Sequence, residues 1–194
     1  MTQLPLILAS TSTFRRELLG RLRLPFECVA PGIAEDHIPS ELPQTRAVRL
    51  ALAKARAVAA RHPDAVVIGS DQVATCNGTV LDKPGSAEAC RRQLSLLSGQ
   101  VAAFYTAVAV VCIDRHCSDE FMDVTEVHFR TLSPGEIERY VERDQPLQCA
   151  GSFRSEALGV ALFEHLRSAD PGGLVGLPLI RLARTLRTLG YLLP

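Results

Sequence analysis

The chain has 194 residues, 47% of them hydrophobic, which suffices to bury a core and points to one domain over 1–194. Its 21 Lys and Arg balance 21 Asp and Glu, so no excess of positive charge exists to neutralise a nucleic-acid polymer. With 5% aromatics and no Trp it also lacks stacking platforms for single strands, leaving open a small anionic ligand in a local basic pocket.

Residues 4–9 form a short continuous apolar run, the pattern of a buried strand, followed at 10–13 by hydroxyl residues suited to N-capping. The run is too short for a signal core or a membrane span and has no basic flank, so a cytoplasmic protein without membrane attachment is expected. A helix to about Leu22 carries Arg15 and Arg16 in its first turn, where positive charge opposes the macrodipole unless an anion binds there. Residues 26–30 read as a second strand, and 31–45, with three prolines and several acids, as a loop. An Ala-rich helix is predicted over 46–61, ending before Pro63.

A short strand at 65–68 runs into Gly69, Ser70, Asp71 and Gln72, and Asn77-Gly78 between 73–76 and 79–81 marks a hairpin. A capped helix is expected over 86–97, ended by Gly99. The β-rich runs 101–113 and 121–130 flank a polar turn and are expected to pair antiparallel; a helix follows at 133–142. Beyond Pro146 the chain reads as irregular and Gly-rich until a last helix from 178 or 179 to 189. The alternation argues for the α/β class, with a mixed twisted sheet flanked by helices.

The six cysteines lack the dense spacing of a secreted disulfide framework, so reduced, buried thiols are expected. Cys112, His116 and Cys117 lie close together, but no fourth zinc ligand is nearby, so metal ligation is not expected there.

Three constellations could carry chemistry. Ser10 to Thr13 with Arg15 and Arg16 places hydroxyls, turn amides and two guanidiniums at a strand-to-helix junction, a phosphate cradle or simply a capped surface helix. Asp71, just beyond a buried strand, could hold a divalent cation or orient water, or could make local turn hydrogen bonds. Lys54, Lys83 and the loop acid Glu35, each taken alone, read as solvated rather than functional, though Glu35 could add a second carboxylate. The glycines in 149–156 and 174–179 suggest either close backbone approach to a ligand or tight turns between short strands.

Together these pieces resemble the Maf family of nucleotide pyrophosphatases across essentially the whole chain. Leu-Ile-Leu-Ala-Ser-Thr-Ser-Thr-Phe-Arg-Arg-Glu-Leu-Leu at 6–19, Gly-Ser-Asp-Gln at 69–72, Asp-Lys-Pro at 82–84, Phe-Tyr-Thr at 104–106 and Val-Gly-Leu-Pro-Leu at 175–179 occur in the family's order. The segment Ala-Gly-Ser-Phe-Arg-Ser-Glu at 150–156 is similar to the branch acting on 7-methyl-GTP, the dTTP and UTP branch carrying Gln in place of Glu156. The chain departs from the family pattern at Ala34, where an Asp often precedes the loop acid, and at Asp82, where Gly usually precedes the lysine.

The resemblance implies a two-lobed fold with a central cleft, Maf/inosine triphosphatase-like. It implies Mg²⁺- or Mn²⁺-dependent hydrolysis of a nucleoside triphosphate to monophosphate and diphosphate. Asp71 matches the general base; Lys54, Lys83 and Glu35 share the catalytic set, with Asp71 and Glu35 toward the metal. Ser10, Arg15 and Arg16 match substrate-binding positions, and Phe14, Gln72 and Glu156 those tied to base selectivity. Glu156 suits 7-methylguanine twice, accepting from its donor edge and facing its positive charge, while Phe14 could stack on that ring. Homodimers are common in the family. A nucleotide-binding regulator of cell division with incidental hydrolysis, a dTTP/UTP pyrophosphatase and a terminal phosphatase are the competing readings.

Overall fold

A computed structural model describes residues 3–194. In chain order the elements are β1 (Leu6–Leu8), α1 (Thr13–Gly20), β2 (Glu27–Cys28), α2 (Pro43–Ala59), β3 (Val66–Cys76), β4 (Thr79–Val80), α3 (Ala87–Leu97), β5 (Val101–Cys112), β6 (Cys117–Phe129), α4 (Pro134–Asp144), β7 (Phe163–Arg167), α5 (Pro171–Val175) and α6 (Leu179–Thr188). The expected α/β class is found. The strands form one mixed sheet ordered β2-β1-β3-β5-β6-β7, with β4 paired to β3. Around β1 the pairing is parallel, Leu6 to Leu8 lying against Val66 to Ile68 on one side and Ile7 and Leu8 against Glu27 and Cys28 on the other. β5 and β6 are joined by the four-residue turn 113–116, too short for a crossover, and so run antiparallel.

The chain divides into two compact units: residues 1–72, 106–123 and 170–194 make the first, and 73–105 with 124–169 the second. The first is built on β1 and β3, whose apolar runs at 6–8 and 66–68 are buried, with the exposed two-residue β2 at the edge. Leu8, Leu18, Leu19, Ile68, Val110, Leu177, Leu182 and Leu186 form its core. Each such leucine contributes about 1.5–3 kcal/mol by burial. In the second unit Phe153 packs edge-on against Phe104, Phe129 and Phe163, with ring centroids 4.9–5.5 Å apart. Helix starts follow the expected chemistry. Ser12, Ser86 and Ser133 cap α1, α3 and α4, the last through a reciprocal capping box with Glu136.

Several boundaries differ from expectation. The strand expected at 26–30 shrinks to two residues, and α2 begins at Pro43 rather than 46, because proline supplies a ready first helical position. The two strands expected at 65–68 and 73–76 are one strand of eleven residues, running straight through Gly69 to Gln72. β6 starts four residues early, at Cys117 rather than 121, paired through the tight turn. Within the stretch read as irregular lies β7, antiparallel to β6 with Val127 opposite Leu166. Three of its five residues are charged or imidazole and it is almost wholly exposed, so no buried-strand pattern announces it. All six cysteines are free, as expected, but only Cys76, Cys90 and Cys112 are buried.

Candidate active site

Asp71 sits inside β3, not beyond its end, and is buried, which removes the turn-aspartate reading. Side chains alternate along a strand, so Gly69 and Asp71 share one face and Ser70 and Gln72 the other. On the first face a Cβ at position 69 would lie 2.2 Å from the Ala51 carbonyl oxygen and 2.6 Å from the Ala55 nitrogen. Only glycine lets the α2 backbone come that close. The result is a helix pressed on the strand with Lys54 beside Asp71: Lys54 Nζ donates to Asp71 Oδ1 at 2.6 Å and pairs with Glu35 Oε1 at 2.7 Å. Lys54 is itself buried.

The opposite face of β3 holds residues 173–176. Gln72 Nε2 lies within hydrogen-bond distance of Thr106 Oγ1 and of the Gly173 and Leu174 carbonyls, and Thr106 Oγ1 donates to the Gly173 carbonyl as well. Ser70 Oγ donates to the Gly176 carbonyl at 2.9 Å, and Arg15 Nε reaches the same oxygen, also at 2.9 Å. Gly176 has φ +122°, a backbone that side chains rarely adopt, and its hydrogen faces the Arg15 side chain. Arg15 enters from the first turn of α1, whose start is held by Ser12; Ser10, buried just upstream, accepts from the Ser12 nitrogen.

Electrostatics join Arg15, Glu35, Lys54 and Asp71 into one cluster of two cations and two carboxylates. Burial pushes the Asp71 carboxyl above its ordinary value, the Lys54 and Arg15 charges pulling back and Glu35 adding to the rise. Burial also lowers the Arg15 guanidinium, with Asp71 and Glu35 opposing; guanidinium stays charged at neutral pH regardless. The acid–lysine–acid arrangement is charge-paired in a setting where an unpaired charge would cost several kcal/mol.

Lys83 and Glu156 lie in the second unit and are exposed; both act electrostatically on Cys149, whose thiol burial and the Glu156 charge push up to about 11. The segment carrying Glu156 is anchored just upstream of it. Ser152 Oγ donates to Gln93 Oε1 at 2.6 Å, and Phe153 fills the aromatic cluster. Arg154 pairs with Asp144, Tyr140 donates to Asp144 at 2.7 Å, and the Arg154 backbone N–H donates to Tyr140 Oη at 3.0 Å.

The structure thus brings together Arg15, Glu35, Lys54 and Asp71, with Ser10 just upstream of α1, while Lys83 and Glu156 each lie within electrostatic reach of Cys149. Arg16 is exposed and lines a surface groove with Glu17, Leu24, Pro25 and Phe26, a groove that no member of the Asp71 cluster lines. Phe14 is half-buried. Gln72 is engaged with the 173–174 backbone. Gly69, Ser70, Thr106 and Gly176 were not singled out from sequence as positioning groups; a glycine in a strand opposite an Ala-rich helix is the one signal that could have marked the first.

Among the described residues no group of three or more His, Cys, Asp or Glu side chains is placed to hold a metal. The two carboxylates on Lys54 Nζ nonetheless fit a hard cation of the Mg²⁺ type, which takes one or two protein carboxylates and completes its shell from substrate phosphates and water.

The Maf-like protein family model matches residues 5–189. A 7-methyl-GTP pyrophosphatase of Xanthomonas campestris pv. campestris (strain 8004) is 53% identical over 189 residues, covering 97% of this chain and 98% of the relative. One of that name from Polaromonas sp. is 52% identical, covering 99% and 88%, and one from Aromatoleum aromaticum 53%, covering 97% of each. The Staphylococcus aureus Ham1 protein shares the fold, with a TM-score of 0.53 at 13% identity over 95% of this chain and 98% of that one. With these matches running over nearly its whole length, the chain belongs to the Maf family.

Proposed function

We propose that the chain hydrolyses the α,β-phosphoanhydride of 7-methyl-GTP to 7-methyl-GMP and diphosphate. The observation that carries this reading is the buried Asp71 carboxylate joined through Lys54 to Glu35, with the Arg15 guanidinium in the same field. Relatives at about half identity over full length bear that activity in their names.

Asp71 is the general base. Lys54 holds its Oδ1, which leaves Oδ2 to take the proton of the attacking water, and burial makes the carboxylate more basic than an exposed one. The water oxygen bonds to the α-phosphorus, the bond from that phosphorus to the bridging oxygen breaks, and diphosphate departs with that oxygen. Arg15, oriented by the Gly176 carbonyl, and Lys54 offset the charge on the phosphates; Ser10 and Arg16 belong to the phosphate-binding turn, and Lys83 adds a cation. Asp71 and Glu35 would hold Mg²⁺ or Mn²⁺, which would supply Lewis-acid stabilisation of the triphosphate when bound. Glu156 accepts from the guanine donor edge and faces its methyl-induced charge, and Phe14 stacks on the ring. Gln72 acts on selectivity indirectly, through the backbone at 173–174 that it holds.

The balanced charge supports a free nucleotide rather than a nucleic-acid polymer as substrate, and the cytoplasm is the proposed location. Among the described residues no helix is long and apolar enough to cross a membrane. A homodimer is the proposed assembly, to be read by sedimentation. Product identity tests the function: with Mg²⁺, 7-methyl-GTP should yield diphosphate and 7-methyl-GMP in equal amounts. Release of orthophosphate with 7-methyl-GDP, or intact substrate, would reject it.

A further inference from the structure

The loop that carries Glu35 is fastened by two arginines, Arg49 on α2 and Arg61 in the turn after it. Arg49 meets Glu41 in a two-pronged pair, Nε to Oε1 at 2.6 Å and Nη2 to Oε2 at 2.7 Å. The same Nη2 donates to the carbonyl of Asp36, the residue after Glu35, at 3.2 Å. Arg61 Nη2 donates to the Ala30 carbonyl at 2.9 Å, at the loop's other end. The Glu41 side chain is only 6% exposed, whereas that of Glu35 is 52% exposed. With half of its side chain open, Glu35 is not fixed by burial, and the backbone beside it is held by Arg49. Exposed ion pairs add little stability, but a planar fork on a carboxylate fixes orientation, and here it also grips the main chain beside a site residue. The helix bearing Arg49 bears Lys54 five residues on, so one rigid element sets both partners of the Glu35–Lys54 pair.

We propose that Arg49, locked by Glu41, is a positioning residue that holds the Asp36 backbone so that the Glu35 carboxylate meets Lys54 and is presented to the divalent cation. The inference rests on Glu35 serving that cation, as in the proposed function. Lysine at 49 keeps the charge but loses the fork, and Glu41→Gln breaks the same clamp from the other side.

The deciding experiment measures amide hydrogen exchange over residues 31–41 and Mn²⁺ binding, followed by electron paramagnetic resonance without nucleotide, in wild type, Arg49→Lys, Glu41→Gln, Glu35→Gln and Arg49→Lys/Glu35→Gln. Both clamp variants should speed exchange in the loop while α2 stays protected. Arg49→Lys should weaken Mn²⁺ by about 10- to 100-fold, the range for groups that orient metal ligands. In the Glu35→Gln background it should weaken Mn²⁺ no further. Unchanged loop exchange in both clamp variants overturns the proposal, as does an Arg49→Lys loss that persists undiminished without Glu35. If Glu35→Gln leaves Mn²⁺ binding intact while wild type binds it, the metal role of Glu35 fails, and loop exchange still decides whether Arg49 holds the backbone.

Discussion

The Asp71 cluster and the segment around Glu156 solve the same problem, holding a carboxylate in place, by opposite means. Asp71 lies on a central strand and Lys54 on a helix packed against it, so their 2.6 Å contact follows from how closely two regular elements approach. Glu156 is exposed on irregular chain, and its place depends on separate anchors at Ser152, Phe153 and Arg154. In the proposed roles, the carboxylate that must be desolvated to act as a base comes from the core, and the one that must meet an arriving nucleobase sits on a surface loop that its neighbours hold. Hydrolysis and selectivity should therefore respond to different substitutions.

The largest effect is expected at Asp71. Asp71→Asn should lower kcat by about 10²- to 10⁴-fold, the span of general base catalysis, for every nucleotide alike in steady-state turnover. Gly69→Ala comes next. A methyl group 2.2 Å from helix backbone forces α2 outward, with a stability loss of about 1–3 kcal/mol in urea unfolding and a matching loss of turnover on all substrates. Activity that survives Gly69→Ala at the wild-type level would show that the helix–strand spacing does not set the site.

Glu156→Gln should act on selectivity instead. Losing a charged acceptor is worth about 1.5–3 kcal/mol, so kcat/KM for 7-methyl-GTP should fall about 10- to 100-fold, with dTTP little changed. Equal losses on both nucleotides would erase the contrast between the regions. Tyr140→Phe removes a hydroxyl that joins Asp144 to the Arg154 backbone, at about 0.5–1.5 kcal/mol of stability. It should blunt the 7-methyl-GTP preference a few-fold without lowering kcat on dTTP.

The smallest effect is in pH dependence. Burial raises the Asp71 carboxyl above its ordinary 3.8, so the folded chain holds that proton more tightly than the unfolded chain does. Its contribution to stability is complete below the ordinary value and is lost as pH rises through the folded one. Asp71→Asn should accordingly gain stability relative to wild type as pH rises across that window, in paired thermal melts. In wild type, activity should fail on the acid side at a pH above the ordinary aspartate range.

Much of this was legible beforehand because it is local. The apolar run at 6–8, the Ala-rich helix and the Ser-Pro-Gly-Glu start of α4 each declare their structure within a few residues. Ser10, Arg15, Arg16, Glu35, Lys54, Asp71 and Lys83 stood out by residue type and place, but their roles, and Phe14, Gln72 and Glu156 with theirs, came through the family resemblance, and the grouping around Lys54 needed coordinates. What stayed hidden is non-local. β7 carries no alternation because its faces are open, and it becomes a strand only through its pairing with β6. The continuity of β3 through Gly69 was masked because glycine reads as a break, although here it is what the neighbouring helix requires. Arg49 looked like any arginine on an exposed helix face, its meaning fixed by a carbonyl thirteen residues upstream.

Gly176 contributes a main-chain oxygen, shared by Ser70 and Arg15, and no side chain at all. A scan that truncates side chains one at a time would therefore miss its role, or record a substitution there as mere backbone strain at φ +122°. Replacing that oxygen by sulfur, as a thioamide at Gly176, would weaken the acceptor while keeping the Leu177 N–H that donates to the Gly172 carbonyl. Such backbone editing turns the orientation of Arg15 into a quantity that can be titrated by acceptor strength.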